Sequence, residues 1–243
     1  MRFLIALALA TLAVPANAVP IPASALFQNL VSPTLVYRWR VAPEAALEPA
    51  LLRSLRTAAA AERAKALKAA TTDAAAAKKG GYGFSRYRLV TDWRLAADTP
   101  RLLALIGTTS TFSGGAHGNV TYDVRLWDKT VHRPVKLLAL FGNWAKARKN
   151  IEADYCKALA VEQARRRHGT TPAGGFDTCP RLSDQAMTPV GDAGDAAPSV
   201  TVLLPPYAAG PYSEGAYEIT LPWPDAIKSL VLPAWRTTFF PSD

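Results

Sequence analysis

Phe84-Ser85-Arg86-Tyr87-Arg88-Leu89-Val90-Thr91-Asp92-Trp93-Arg94-Leu95 is the stretch that decides the fold. Tyr87, Leu89, Trp93 and Leu95 alternate with Arg86, Arg88, Asp92 and Arg94. A period of two places the first set on one face of a strand and the second on the other, which predicts a sheet with one wet face. Arg101 to Phe112 reads as a second, more buried strand, and Asn119 to Trp127 as a third. Asp128-Lys129-Thr130 is a turn towards a fourth strand at Val131 to Val135. Residues 84–135 are therefore expected to form consecutive antiparallel strands.

Downstream, Leu137 to Phe141 reads as a short helical turn, and Asn143 as the cap of a helix from Trp144 to Arg167. Trp144, Ile151, Tyr155 and Leu159 form its apolar stripe. Gly, Pro, Asp and Ala dominate 169–198, a loop-rich region. Val200 to Leu204 and Tyr217 to Leu221 resume the sheet, and Trp223-Pro224-Asp225 starts a short helix. Upstream, Thr34 to Val41 alternates as a strand, and Pro43 opens a helix with Leu47, Leu51, Leu55 and Ala58 on one face. That helix is expected to reach about Ala69, with a break at Thr71-Thr72-Asp73 and a loop at Lys78-Lys79-Gly80-Gly81. The Pro-rich segment 19–33 reads as an extended arm. The fold class is α+β: an antiparallel sheet with packed helices, in two interlocked α/β subdomains.

Residues 1–18 specify the destination. Arg2 gives a positive start, Phe3 to Val14 an apolar run, and Ala16-Asn17-Ala18 an A-x-A cleavage site, the pattern of a signal peptide. The run is too short to anchor the chain, since a span needs about 20 apolar residues. Val19 rather than Cys follows the cut, which disfavours a lipoprotein. The expected product is periplasmic or secreted, with no stable membrane anchor. Export gives meaning to the two cysteines in 243 residues: an oxidising compartment favours a Cys156–Cys179 bridge, with two buried free thiols as the alternative. A net charge of +9 with 49% hydrophobic residues fits a packed basic domain and excludes wholesale disorder.

The segment with most chemical interest is Thr111-Phe112-Ser113-Gly114-Gly115-Ala116-His117-Gly118-Asn119. Its glycines permit positive φ, and converging amides can cradle an anion. Gly114, Gly115, His117, Gly118 and Asn119 are the candidate binding residues. As weaker catalytic candidates, His117 could serve as a base with Ser113 or Asp123, making an envelope hydrolase. The plainer alternative is a hairpin loop that His117 supports through a neighbouring carbonyl. No nucleophile elbow, P-loop or dinucleotide fingerprint occurs, and no cofactor is expected. A shared zinc site for His117 and His132 is disfavoured, because His132 opposite Leu126 would lie about 30 Å from His117 at 3.3 Å per residue. His168 lacks an H-E-x-x-H partner, so no metal is expected. Lys146, Arg148, Lys149, Lys157, Arg165, Arg166 and Arg167 read as a solvated helix face with basic charge at its C-terminus, or as a site for an anionic partner. No nucleic-acid motif accompanies them, and nucleic acid is not expected as a partner.

The S-G-G-A-H-G-N segment, followed by a strand, the Leu137 to Phe141 turn and a long helix, resembles an extracytoplasmic domain of unknown function. That domain occurs in the lysozyme-sensing anti-sigma factor RsiV and as the accessory region of the peptidoglycan deacetylase PdaC. Pro206-Tyr207-Ala208-Ala209-Gly210 and Gly215-Ala216-Tyr217-Glu218-Ile219-Thr220-Leu221-Pro222 are similar to its closing strand pair. The similarity runs from about Arg101 to Trp223 and is weaker over 34–100, which gives the expected organisation: a small α/β subdomain at 34–100 and the RsiV/PdaC-like domain at 101–240. The resemblance implies an α+β fold and a binding role, with peptidoglycan or a lysozyme-like protein as partner. It supplies no catalytic machinery, since the T-F-D-D-G metal motif of the deacetylase domain is absent.

Overall fold

The computed structural model describes residues 23–168 and 175–240. The expected signal peptide and its cleavage site lie outside the described residues. A single helical turn α1 (Ala23–Leu26) leads into β1 (Phe27–Val31), which pairs antiparallel with β2 (Leu35–Val41). The segment expected as an extended arm thus runs extended over 27–31 as a hydrogen-bonded edge strand. One 3-10 turn (Pro43–Leu47) separates β2 from α2 (Pro49–Gly80), so Pro49 rather than Pro43 starts the long helix.

The 32 residues of α2 pass straight through Thr71-Thr72-Asp73 and Lys78-Lys79, where a break and a loop were expected. The cost of two threonines and an aspartate in a helix is only a few tenths of a kcal/mol each. Ala74 to Ala77 re-establish strong propensity, and the Asp73 carboxylate accepts from the Tyr87 hydroxyl of the next strand. Such a helix crosses between β2 and β3 (Tyr87–Asp98), and those two strands are parallel. A parallel pair needs a long crossover, and α2 is that crossover.

From β3 the expected meander follows: β4 (Leu102–Phe112), β5 (Asn119–Asp128) and a two-residue β6 (Arg133–Pro134), all antiparallel. The expected strand over 131–135 shrinks because the turn is longer than three residues. Asp128 Oδ1 accepts from the Thr130 amide and hydroxyl, and His132 sits in the turn at φ +49. His132 therefore faces Glu48 Oε2 at 2.8 Å and not Leu126. The buried Glu48 carboxylate also accepts from Trp127 Nε1 at 2.8 Å, tying the start of α2 to the end of β5.

The six strands lie in the order β1 to β6. One face carries Leu35, Tyr37, Trp39, Leu89, Trp93, Leu103, Leu105 and Trp127, and packs against Leu51, Leu52, Leu55 and Ala59 of α2. The other face is the expected wet one only in part. Arg38, Arg40, Arg88 and Arg94 are exposed on β2 and β3, but Leu102, Ala104, Ile106 and Leu126 are buried under a second sheet. A register shift between Leu95 and Ala97 helps, turning both Ala96 and Ala97 into buried positions.

The second sheet is β7 (Ala186–Val190), β8 (Ser199–Leu204) and β9 (Tyr217–Pro222), in that order. β7 falls in the region expected as loop; Pro189 disguises it. A proline cannot donate to a ladder and is tolerated here because β7 is an edge strand. Over this sheet runs α3 (Trp144–Arg167), its amide at Lys146 capped by Asn143 Oδ1 at 3.0 Å. Ala147, Ile151, Tyr155 and Leu159 are its buried face. The disulfide Cys156–Cys179 joins α3 to the segment that enters β7.

One core group is out of place chemically. Tyr155 is fully buried, and its hydroxyl has no hydrogen-bond partner among the described residues. Burial pushes this phenol's ionisation up. Replacing Tyr155 with Phe removes a desolvated hydroxyl and breaks no bond, so the variant should equal the wild type or gain up to about 1 kcal/mol. Urea denaturation checks this; a loss above about 1 kcal/mol would show that the hydroxyl is satisfied in solution.

Candidate functional site

The glycine-rich segment joins β4 to β5 at the end of the first sheet, and Gly114 and Gly115 take φ +93 and +91. These values are left-handed, open to glycine at little cost. Beyond them the chain turns back, and His117 leaves the loop towards residues ninety positions away. Its ring stacks on Tyr212, with centroids 3.8 Å apart and planes 19° apart. Nδ1 lies 2.8 Å from the Gly118 carbonyl and Nε2 3.2 Å from the Tyr207 hydroxyl. A carbonyl only accepts, so Nδ1 is the nitrogen that donates to Gly118, and Nε2 faces the Tyr207 hydroxyl.

Tyr207 and Tyr212 belong to the connection between β8 and β9, and the sequence reading assigned them no role in a site. Tyr207 is 53% exposed and sits at φ +71, unusual for a bulky residue. Their signal was the punctuation around them: Pro205-Pro206 before the first, Gly210-Pro211 before the second. Tyr212 and the end of the His117 loop, at Gly118 and Asn119, border a groove of about 450 Å³. Ser110 and Val120 line it, with Arg88 and Tyr212 also on its walls, and Gly118 and Asn119 at the loop end. Asn119 Oδ1 accepts from the Val120 amide at 2.9 Å, which holds that corner.

The other candidates go elsewhere. Ser113, Gly114 and Gly115 line a separate depression with Asp73 and Tyr82. Asp123 accepts from the Val124 amide at 2.7 Å and from Arg125 at 2.6 Å, on the α2 side of the sheet. Among the described residues the only partners of the His117 ring nitrogens are Gly118 and Tyr207. No group of three His, Cys, Asp or Glu side chains converges among the described residues.

The tyrosine connection is held by the C-terminal end of α3. Arg166 donates to the Glu214 and Ala216 carbonyls, both at 2.8 Å, and its guanidinium lies 3.8 Å from the Tyr217 ring centroid. Arg167 pairs with Glu214 at 2.9 Å and donates to the Ala209 carbonyl, which also accepts from Gln163 at 2.7 Å. Burial would raise the Glu214 carboxyl, but Arg167, Tyr217 and Arg166 outweigh it and hold the group below its usual range. Glu162, bonded to Arg165 and Arg166, is held down to about 2. The three terminal arginines of α3 thus serve internal pairs and carbonyls. Glu218 of β9 meets Arg94 and accepts from Tyr122, whose phenol is pushed up to about 12 by burial and then by that carboxylate.

No family model matches the chain, and no curated protein matches it. Solved structures do. A DUF3298 family protein from Pseudomonas aeruginosa PAO1 is similar at 18% identity with a TM-score of 0.53, over 88% of this chain and 94% of that one. A DUF3298 member from Bacteroides fragilis is similar at 15% identity with a TM-score of 0.52, over 86% and 88%. The chain therefore shares the fold of these two DUF3298 proteins along most of its length.

Proposed function

We propose that the protein is an exported, non-catalytic binding domain of the cell envelope that recognises a glycan, peptidoglycan above all, through the groove at the His117 loop. One observation carries the reading: His117, Tyr207 and Tyr212, from two segments far apart in sequence, assemble into an aromatic cluster whose Tyr212 lines a groove with Arg88 and Asn119. Aromatic faces with polar tips suit sugar rings, whose C–H faces stack while their hydroxyls seek donors and acceptors. The exposed arginines of β2 and β3 continue from the groove and favour a ligand with anionic substituents over a basic lysozyme-like protein. Export is supported by the disulfide and is compatible with the fact that no described helix is long and apolar enough to cross a membrane.

The test is co-sedimentation of the purified chain with insoluble peptidoglycan, alongside capture by immobilised lysozyme. Tyr212→Ala and His117→Ala should each weaken sedimentation about tenfold, the 1–2 kcal/mol of one aromatic anchor, with cooperative unfolding retained. Capture by lysozyme without glycan binding would redirect the reading to a protein partner. Release of soluble fragments by wild type and not by a folded His117→Ala variant would replace it with the hydrolase.

A further inference from the structure

On the opposite face of the same sheet, between α2 and strands β3 to β5, lies a second cavity of about 290 Å³. Small residues of α2, Ala58 and Ala59, face it and leave room below the helix. A Cβ at Gly107 would stand 2.8 Å from the Trp93 ring, so the indole lies flat across the bare backbone. The surrounding core is tryptophan and leucine, yet this space is polar. Thr91 and Thr109 hydroxyls bond each other at 3.1 Å, and Thr121 stands opposite Thr109 on β5. Asp123 and Arg125 form a pair at 2.6 Å, with the Arg125 guanidinium 5.3 Å from the Trp93 centroid. Dry packing defects are lined by apolar atoms, whereas polar cavities hold water or a ligand.

We propose that this cavity binds a small polar molecule, the size of one sugar ring, that carries a primary ammonium group. Size sets the first part, since about 300 Å³ is the low end of small-molecule sites. Charge sets the second. Glu62 of α2 lines the rim and has no hydrogen bond or ion pair with a described residue, while Arg125 is committed to Asp123. The cavity thus has one carboxylate in excess on a protein of net charge +9. Desolvation, then the charge of Asp123, raises the Glu62 carboxyl, and Arg125 only partly opposes this. An ammonium donor at the rim would relieve both, with threonine hydroxyls for the rest of the ligand. A divalent metal fits less well, because only two carboxylates are present and one already holds a guanidinium.

Isothermal titration with glucosamine, glucose and N-acetylglucosamine, each up to about 10 mM, tests the site. Glucosamine should bind, and the two uncharged sugars should bind at least about tenfold more weakly. Glu62→Gln, on an exposed helix position, should abolish the preference for the amine, and Thr109→Val should weaken glucosamine without restoring the neutral sugars. Equal binding of glucose and glucosamine would overturn the ammonium assignment. No heat from any of the three, or glucosamine binding unchanged in Glu62→Gln, would overturn the site. Neither result bears on the His117 groove, which Tyr212→Ala reports separately.

Discussion

Replacing Cys156 and Cys179 together with alanine should lower stability by about 3 kcal/mol. The bridge spans 23 residues, and closing a loop of that length in the unfolded chain removes roughly that much conformational freedom. The local packing adds to the case. Both cysteines contact the core shared by α3 and the second sheet, and between them the chain has few apolar residues to hold it. Glu152 on α3 accepts from the Leu182 amide at 2.9 Å where the segment returns to the fold, and Gln163 donates to the Phe176 carbonyl at 3.4 Å. For a domain of this size the melting temperature should fall on the order of 10 °C. Adding reductant to the wild type should reproduce most of the drop, and reductant should leave the double variant unmoved. A linked Cys156–Cys179 peptide pair in the unreduced protein completes the test. Two alkylatable thiols in exported protein would defeat the prediction, whatever the melting curves show.

What the sequence made legible follows from how locally each signal is encoded. The helix Trp144–Arg167 was readable because a cap and an apolar stripe mark it: Asn143 at one end, Ile151, Tyr155 and Leu159 along one face. The β4–β5 hairpin was readable for the same reason, with alternation on both sides of a glycine-rich link. Tertiary facts were not readable. Past Asp73, α2 is joined by a hydroxyl from β3, and β7 exists despite Pro189 because of its place at a sheet edge. The wet face of β3 was correctly polar, yet the same face at Ile106 and Leu126 is covered by a sheet made much later in the chain. The site divides the same way. His117 announced itself by its glycines, while Tyr207 and Tyr212 acquire meaning only when β8 and β9 bring them to it. Ser113 and Asp123, grouped with His117 by residue type and nearness in sequence, belong to different faces and depressions once the strand is pleated.

That dependence makes Arg167 the residue whose loss should cost most. Its guanidinium and the Glu214 carboxylate are only 10% and 13% exposed, and the pair anchors the connection that carries Tyr207 and Tyr212. Removing one partner of a buried pair leaves the other desolvated and uncompensated, which costs about 3–5 kcal/mol. Arg167→Ala should therefore destabilise by that amount in urea and also abolish the proposed glycan binding, since the Ala209 carbonyl loses a donor and the tyrosine loop a clamp. Arg167→Met combined with Glu214→Leu should recover much of the stability, because no buried charge is left alone. The pH dependence supplies the sign. In the wild type the Glu214 carboxyl is held below its unfolded value of about 4.3, so its contribution is full above that pH and is lost as pH falls through the folded value. Without Arg167 the first of the groups that hold the carboxyl down is gone, so the folded value rises and the variant loses less stability on acidification. The gap between wild type and Arg167→Ala should thus be wide at pH 7 and narrow on acidification below about pH 4. A gap that stays constant across that range would mean that Arg167 acts through packing and its carbonyl bonds, and that the Glu214 charge is not what it compensates.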